Sequence, residues 1–197
     1  MLKDNPIILI AIAVVGFGGL LISGVAVFFL FNAWFGLPVG ASAPDQPIDY
    51  PHTIHADSIE NGGLGLDCTF CHRNVADGAA ATVPSVQQCM FCHKQITGTS
   101  DKAKVEIGKL RDISDSGQPI NWKRVHRLPD HVEFVHDAHI RYFSEKDGVS
   151  TSEVCSTCHG DVASMLKVKQ VRALKMGDCV DCHREYSAPT DCTICHR

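Results

Sequence analysis

The sequence predicts a single N-terminal transmembrane helix followed by a small domain of short helices and loops with little sheet. Two observations predict this fold class. The first is a run of 25 residues without a charged side chain, from Ile7 to Phe31. The second is the distribution of the ten cysteines, all of which fall in copies of one short motif in the remainder of the chain.

The uncharged run is long enough to cross a bilayer, because a helix rises about 1.5 Å per residue and the hydrocarbon core is about 30 Å thick. Trp34 and Phe35 follow it directly, as is typical of aromatic side chains at the membrane–water interface. A cleaved signal peptide is the alternative, but its apolar segment is only about 7–15 residues long. In addition, Pro44 follows the small residues Ala41–Ala43 and disfavours cleavage there. We therefore expect residues 1–37 to be a retained membrane anchor.

The cysteines form five Cys-x-x-Cys-His motifs, and no cysteine is left over. This motif is the attachment signature of c-type haem, in which two thiols form thioethers and the adjacent imidazole binds the iron. Zinc sites and disulfides explain the pattern less well, because neither requires a histidine after each second cysteine. The attachment residues are Cys68, Cys71, Cys89, Cys92, Cys155, Cys158, Cys179, Cys182, Cys192 and Cys195, and the proximal ligands are His72, His93, His159, His183 and His196.

Five covalently bound haems are thus predicted, in a small multihaem cytochrome c domain. The roughly 150 residues beyond the anchor are too few to bury an ordinary core around five such groups. We therefore expect short helices and loops wrapped round stacked haems.

The side of the membrane follows from the attachment chemistry. Covalent haem attachment takes place on the outer side of an energy-transducing membrane, so a single-pass protein of the inner (cytoplasmic) membrane with a periplasmic haem domain is predicted. The formal net charge is −4 and the chain has no long basic stretch, which disfavours nucleic-acid binding.

Six further histidines are available as distal ligands: His52, His55, His126, His131, His136 and His139. A haem that only transfers electrons is normally six-coordinate, so five distal ligands are needed. Two pairs share the spacing His-x-x-His, which places both rings on one face of a helix. Each pair precedes a cluster of attachment motifs, which is an internal repeat.

Motif spacing also predicts the organisation of the chain. The predicted parts are the anchor (1–37), an extended proline-rich spacer (38–51), a first module with two haems (52–93), a polar linker (94–123) and a second module with three haems (124–197). The linker contains one short helix candidate near Lys102–Arg111.

A His-x-x-His pair followed by closely spaced attachment motifs resembles the small multihaem cytochromes c3 and c7. In those proteins the first histidine serves the next haem and the second serves the one after. The resemblance implies these pairings of distal and proximal ligands: His52 with His72, His55 with His93, His136 with His159, and His139 with His183.

The haem at His196 departs from that pattern. Where a c7-like module has a further histidine, this chain has only Met165 and Met176. A methionine ligand would raise the reduction potential relative to a second histidine, although both methionines also suit core packing. We expect His126 to bind one of the irons, and a His/Met haem stays open as the alternative.

The stretch Gly117–His139, the stretch Leu174–Arg184, the five attachment motifs and the single membrane helix together resemble the pentahaem cytochrome c subunit of Alternative Complex III. That family implies a quinol-oxidising respiratory or photosynthetic membrane complex. Polytopic partner subunits would carry the quinol site beside an iron–sulfur subunit, and the haems would pass electrons to a periplasmic cytochrome or other acceptor. Members of the family carry an aromatic residue where this chain has His131, so His131 is expected to bind no iron.

On this interpretation the chain has no catalytic site of its own. One alternative is a multihaem subunit of another quinone-linked membrane complex, with electrons flowing in either direction. Another is a multihaem enzyme acting on nitrite or hydroxylamine. The enzyme is disfavoured because it needs an open iron, whereas every proximal ligand here is histidine and enough distal ligands are present.

Overall fold

The structure, a computed structural model, describes residues 5–36 and 43–196. Within these residues the secondary structure is helical, apart from one isolated antiparallel bridge between Val132 and His196. The predicted fold class is therefore confirmed. The helices are α1 (Pro6–Phe35), α2 (His52–His55), α3 (Cys68–Cys71), α4 (Val86–His93), α5 (Asp101–Ser116), α6 (His136–Asp147), α7 (Thr151–His159), α8 (Met176–Glu185) and α9 (Cys192–Cys195), with short 3₁₀ turns at Ile59–Asn61 and Val162–Ser164. The two ends of the predicted anchor and the first part of the predicted spacer lie outside the described residues.

The long helix α1 has clear signals at both ends. The side chain of Asn5 accepts a hydrogen bond from the backbone N–H of Ile7 at 3.0 Å, and Pro6 occupies the first helical position. Gly36, with φ of 67°, follows the last turn. None of its described residues is buried, and among the described helices it alone is long and apolar enough to cross a membrane.

The described chain forms two compact units, and the first combines α1 with the segment Ala173–Thr190. In this unit α8 lies against the end of α1. A Cβ atom on Gly177 would clash with Cδ1 of Trp34 and would lie 2.8 Å from the Trp34 carbonyl oxygen. Because no real Cβ approaches backbone so closely, only glycine allows this contact between the two helices.

Gly177→Ala is therefore expected to push α8 away from Trp34. Overpacking of this kind costs about 1–3 kcal/mol of stability, and thermal unfolding in detergent measures the loss. Gly108→Ala on α5 is the matched control, since nothing lies within 4 Å of a Cβ at that position. Equal unfolding temperatures for the two variants would contradict the predicted close contact.

The second unit contains residues 43–172 and 191–196 among those described. Its apolar cluster is built on the buried side chains of Ile48, Val86 and Leu110, where α4 packs against α5. Ser100 caps α5 by accepting a hydrogen bond from the N–H of Ala103 at 3.1 Å, and Gly117 in the left-handed conformation ends it. The helix predicted in the linker is thus present and longer than predicted.

Leu110→Ala is expected to lower the free energy of unfolding by about 2–4 kcal/mol, because the side chain is buried and its removal leaves a cavity. Leu110 is 6% exposed, whereas Val105 on the same helix is 59% exposed. Val105→Ala should therefore change the unfolding temperature very little. A similar loss in both variants would show that the cluster does not stabilise this unit.

These units do not coincide with the two haem modules predicted from motif spacing. The fourth attachment motif belongs to the unit that contains α1, while the other four belong to the second unit. The module boundaries describe the order of motifs along the chain and stay a prediction.

Candidate haem-binding sites

All five attachment motifs fold as helical turns. Two of them, Cys68–Cys71 and Cys192–Cys195, are complete short helices, and the others lie at the ends of α4 and α7 and within α8. A helical turn places residues i and i+3 on one side, so both thiols of a motif face the same way. None of the ten cysteines is fully buried. The turns therefore present each pair of thiols to a group bound beside them.

Four of the five proximal histidines hold their Nδ1 nitrogen against a backbone carbonyl oxygen. Because that carbonyl fixes the proton on Nδ1, the Nε2 nitrogen is left as the metal ligand. The Nδ1 distances are 2.6 Å from His72 to Thr82, 3.1 Å from His93 to Ile96, 2.6 Å from His183 to Pro189 and 3.3 Å from His196 to His131.

Three of the predicted distal ligands have the same arrangement. The Nδ1 distances to carbonyl oxygens are 3.0 Å from His55 to Pro51, 2.8 Å from His136 to Ala79 and 2.7 Å from His139 to Val135. His52 differs, since its Nδ1 is buried without a hydrogen-bond partner among the described residues. A buried nitrogen without a partner fits a site that a bound group completes.

Two histidine pairs have the separation that a shared iron requires. With metal–imidazole bonds of about 2 Å, two rings on opposite sides of an iron have centres about 6 Å apart. The ring centres of His55 and His93 are 6.1 Å apart, and those of His136 and His159 are 6.4 Å apart. Both pairs are ones that the sequence predicted, so the residues present fit a bis-histidine haem at each place.

Burial keeps the ligand rings neutral. It is the main cause that lowers the pKa of His52 to about 4, and the neighbouring rings of His72 and His55 lower it further. Burial likewise lowers the pKa of His159 to about 4, with further contributions from His126, His136 and His72. Neutral imidazole is the form that binds a metal, so these rings are ready to bind iron at neutral pH. The pairing of His52 with His72 stays a prediction.

The two His-x-x-His pairs belong to a longer repeat that the spacing argument missed. Residues 48–55 read IDYPHTIH and residues 132–139 read VEFVHDAH, so an aromatic residue precedes each first histidine by two positions. Tyr50 stacks on His55 with ring centres 4.4 Å apart, and Phe134 stacks on His139 with the same separation. Each aromatic ring also meets the first histidine of its pair edge-on, at 5.0 and 4.8 Å respectively. Aligning the two segments would have revealed this repeat.

The repeat supplies its own control for the aromatic position. Tyr50→Phe is expected to leave haem spectra unchanged, because the second copy already uses phenylalanine. Tyr50→Leu removes the ring that orients His55 and His52. We expect the g values of about two haems, measured by electron paramagnetic resonance (EPR), to change. Thermal unfolding should show a loss of about 1–3 kcal/mol in stability. Unchanged g values in Tyr50→Leu would show that the ring does not orient the ligands.

The remaining two histidines also lie near proximal ligands. Nε2 of His126 is 3.3 Å from Nδ1 of His159, and the two ring centres are only 4.3 Å apart. The ring of His131 lies 5.5 Å from that of His196, but its own carbonyl oxygen faces Nδ1 of His196. That His131 binds no iron stays a prediction.

Segments far apart in sequence meet around the first and third attachment motifs. The thiols of Cys68 and Cys155 are near enough to affect each other: the interaction lowers the pKa of Cys68 and raises that of Cys155. The hydroxyl of Ser152 donates to the carboxylate of Asp67 at 2.7 Å. The attachment sites of the first and third motifs are therefore adjacent.

The two candidate methionine ligands differ in surroundings. Met165 lies within van der Waals distance of the Cβ position of Gly160, next to His159. Met176 is half exposed at the start of α8, in the unit that contains α1. Which of them, if either, binds an iron stays a prediction.

Comparison with known proteins supports the haem interpretation. No protein-family model matches the chain. The chain is 27% identical over 191 residues to the "Menaquinone reductase, multiheme cytochrome c subunit" of Nitratidesulfovibrio vulgaris (strain Hildenborough), and the match covers 88% of this chain and 87% of the relative. This similarity supports a multihaem c-type cytochrome subunit with covalently bound haems. The number of haems and the type of complex stay predictions.

Proposed function

We propose that the chain is a membrane-anchored c-type cytochrome with five haems that relays electrons within a quinol-oxidising complex of the Alternative Complex III type. Bound haem supplies a one-electron redox centre. The polypeptide supplies the thioether cysteines, the axial imidazoles and the spacing between them. The contact between α8 and the end of α1 is the observation that carries this proposal.

That contact fixes one attachment site at the membrane end of the chain. Helix α8 carries Cys179, Cys182 and His183, and its Gly177 lies against Trp34. Tryptophan after a long apolar helix is typical of the membrane–water interface. This contact supports electron entry from a membrane-dissolved quinol at the fourth attachment site.

The ligand set proposed for this relay combines geometry with the sequence repeat. The ring separations of His55 from His93 and of His136 from His159 support two of the proposed pairs. The resemblance to cytochromes c3 and c7 adds the proposed pairs of His52 with His72 and of His139 with His183. The haem domain is proposed to lie on the periplasmic side of the inner membrane, with polytopic quinol-binding subunits and an iron–sulfur subunit as partners and a cytochrome c as acceptor.

A second candidate runs electrons the other way. The relative from Nitratidesulfovibrio vulgaris is named for a menaquinone reductase, so a subunit that delivers electrons to a quinone pool is the alternative. Both candidates use the same haem sites and the same membrane anchor. They differ in which reaction the isolated complex performs rapidly.

Stopped-flow spectroscopy on the complex purified in mild detergent distinguishes them. Quinol added to the oxidised complex should reduce the haems within the turnover time, and oxidised cytochrome c should then reoxidise them. Rapid haem oxidation by menaquinone, with slow reduction by quinol, would favour the alternative. Recovery of the chain as a lone monomer would overturn both.

Gly177→Ala tests the role of α8 within the same assay. Haem reduction by quinol should slow in this variant, while reduction by dithionite stays fast because that reductant reaches every haem from water. Gly108→Ala should behave as the unaltered complex. An unchanged rate of haem reduction by quinol in Gly177→Ala would show that electron entry does not depend on the contact between α1 and α8.

A further inference from the structure

We propose that the first attachment site (residues 68–72) lies between the second (residues 89–93) and the third (residues 155–159). The order of these sites in space then differs from their order along the chain, and a haem at the second site exchanges electrons with the third through the first. This inference rests on the proposed function in taking each motif to hold a haem. It concerns only the second compact unit, to which all three sites belong.

The first and third sites meet through their attachment helices. Helix α3 of the first site packs against α7 of the third. Asp67 precedes α3, and one of its carboxylate oxygens accepts a hydrogen bond from the N–H of Thr69 at 2.8 Å. The other oxygen accepts from the hydroxyl of Ser152 on α7 at 2.7 Å. Since Ser152 lies three residues before Cys155, one carboxylate joins the starts of both attachment helices.

The loop after the first site also holds the axial ligand proposed for the third. The carbonyl oxygen of Thr82 lies 2.6 Å from Nδ1 of His72, the proximal ligand of the first site. Three residues earlier, the carbonyl oxygen of Ala79 lies 2.8 Å from Nδ1 of His136 and accepts from its backbone N–H at 3.1 Å. The ring centre of His136 is 6.4 Å from that of His159. One loop therefore supplies a carbonyl oxygen to a ligand at each site.

The second site meets the first through α4. Gln88, directly before Cys89, donates from its side chain to the carbonyl oxygen of Phe70 inside α3. Helix α4 also packs against α5, and Cys89 lies against the apolar cluster between these helices. Arg111 on α5 donates to the carbonyl oxygen of His93 at 3.0 Å. The neighbours of the second site are thus α3 and α5, whereas the neighbour that α3 gives to the third site is α7.

The path of the chain explains why spatial order and chain order differ. After the second site the chain forms α5, which packs back on α4. It then reaches α6, whose first residues are hydrogen-bonded to Gly78 and Ala79 in the loop after the first site. The third motif follows and joins the first. Because the electrostatic energy between two charges falls with their separation, each haem should affect the potential of its neighbour most strongly.

Redox titration of variants that lack one haem tests this order. His136→Ala leaves the iron at His159 without its distal ligand, so the high-spin EPR signal follows the potential of that haem alone. Adding Cys89→Ala and Cys92→Ala to this variant removes the haem of the second site. This removal should leave the potential of the haem at His159 unchanged, because the first site lies between them.

Removing the haem of the first site instead, with Cys68→Ala and Cys71→Ala in the same His136→Ala background, should shift that potential. Mass spectrometry checks that each variant has lost one haem. A shift of equal or greater size after removal of the second haem would overturn the proposal, since chain order places the second site beside the third. An unchanged potential after removal of the first haem would overturn it as well.

A second measurement keeps every attachment motif intact. In the single variant His136→Ala, the fast-relaxing high-spin iron should speed the spin relaxation of the low-spin haem at His72 more than that of the haem at His93. The signals of these two haems are assigned as those that His52→Ala and His55→Ala, respectively, convert to high-spin. A stronger effect on the haem at His93 would overturn the proposed order. Neither measurement uses quinol, so its failure is distinct from failure of the proposed function.

Discussion

His55→Ala is expected to convert one haem of the oxidised protein from low-spin to high-spin. The ring of His55 lies 6.1 Å from that of His93, and its Nδ1 is held by the Pro51 carbonyl, so Nε2 is free to complete the coordination of that iron. Alanine leaves the site five-coordinate, and about one-fifth of the iron should show a high-spin ferric EPR signal if five haems are present. Added imidazole should restore the low-spin spectrum.

His131→Ala is the control for this experiment. The centre of its ring lies 5.5 Å from that of the proximal histidine His196, but the family resemblance predicts that His131 binds no iron. We expect five low-spin haems in this variant. A high-spin signal in His131→Ala, or none in His55→Ala, would show that the ligand pairs are assigned wrongly.

The features that the sequence predicted well depend on residues close together in the chain. A helix long enough for a membrane and two thiols on one helical turn are local properties, and the structure contains both. The extent of α5 was underestimated although its signals are also local. Ser100 and Gly117 are the capping residues that mark its ends.

The surroundings of His126 were not accessible in this way. Its ring lies against that of His159, which is 33 residues away in the chain. The contact between His131 and His196 spans 65 residues. Sequence spacing carries no information on such approaches, because they depend on how separate helices pack.

The same limit applies to the boundary between the two predicted modules. The carbonyl of Ala79, which follows the first attachment motif, accepts the hydrogen bond from His136 in the second module. Asp67 of the first module likewise accepts from Ser152 of the second. Since each module completes sites of the other, we expect neither to bind its haems correctly when expressed alone.

Removing one attachment motif is expected to remove one whole haem. In the double variant Cys68→Ala and Cys71→Ala neither thioether can form. The unaltered protein should have the mass of the polypeptide plus five haems, and the variant should have the mass of its polypeptide plus four. Because the first and third attachment sites are adjacent, as the hydrogen bond from Ser152 to Asp67 shows, the potential of the haem at His159 should shift as well.

The pair Cys192→Ala and Cys195→Ala is the matched control. It should also remove one haem, but Cys192 and Cys195 lie on α9 beside the segment around Val132 and not beside Cys155. The haem at His159 should therefore keep its potential in this variant. A mass of the unaltered protein that corresponds to fewer than five haems would correct the haem count. Equal shifts in the potential of the haem at His159 in both variants would contradict the adjacency of the first and third attachment sites.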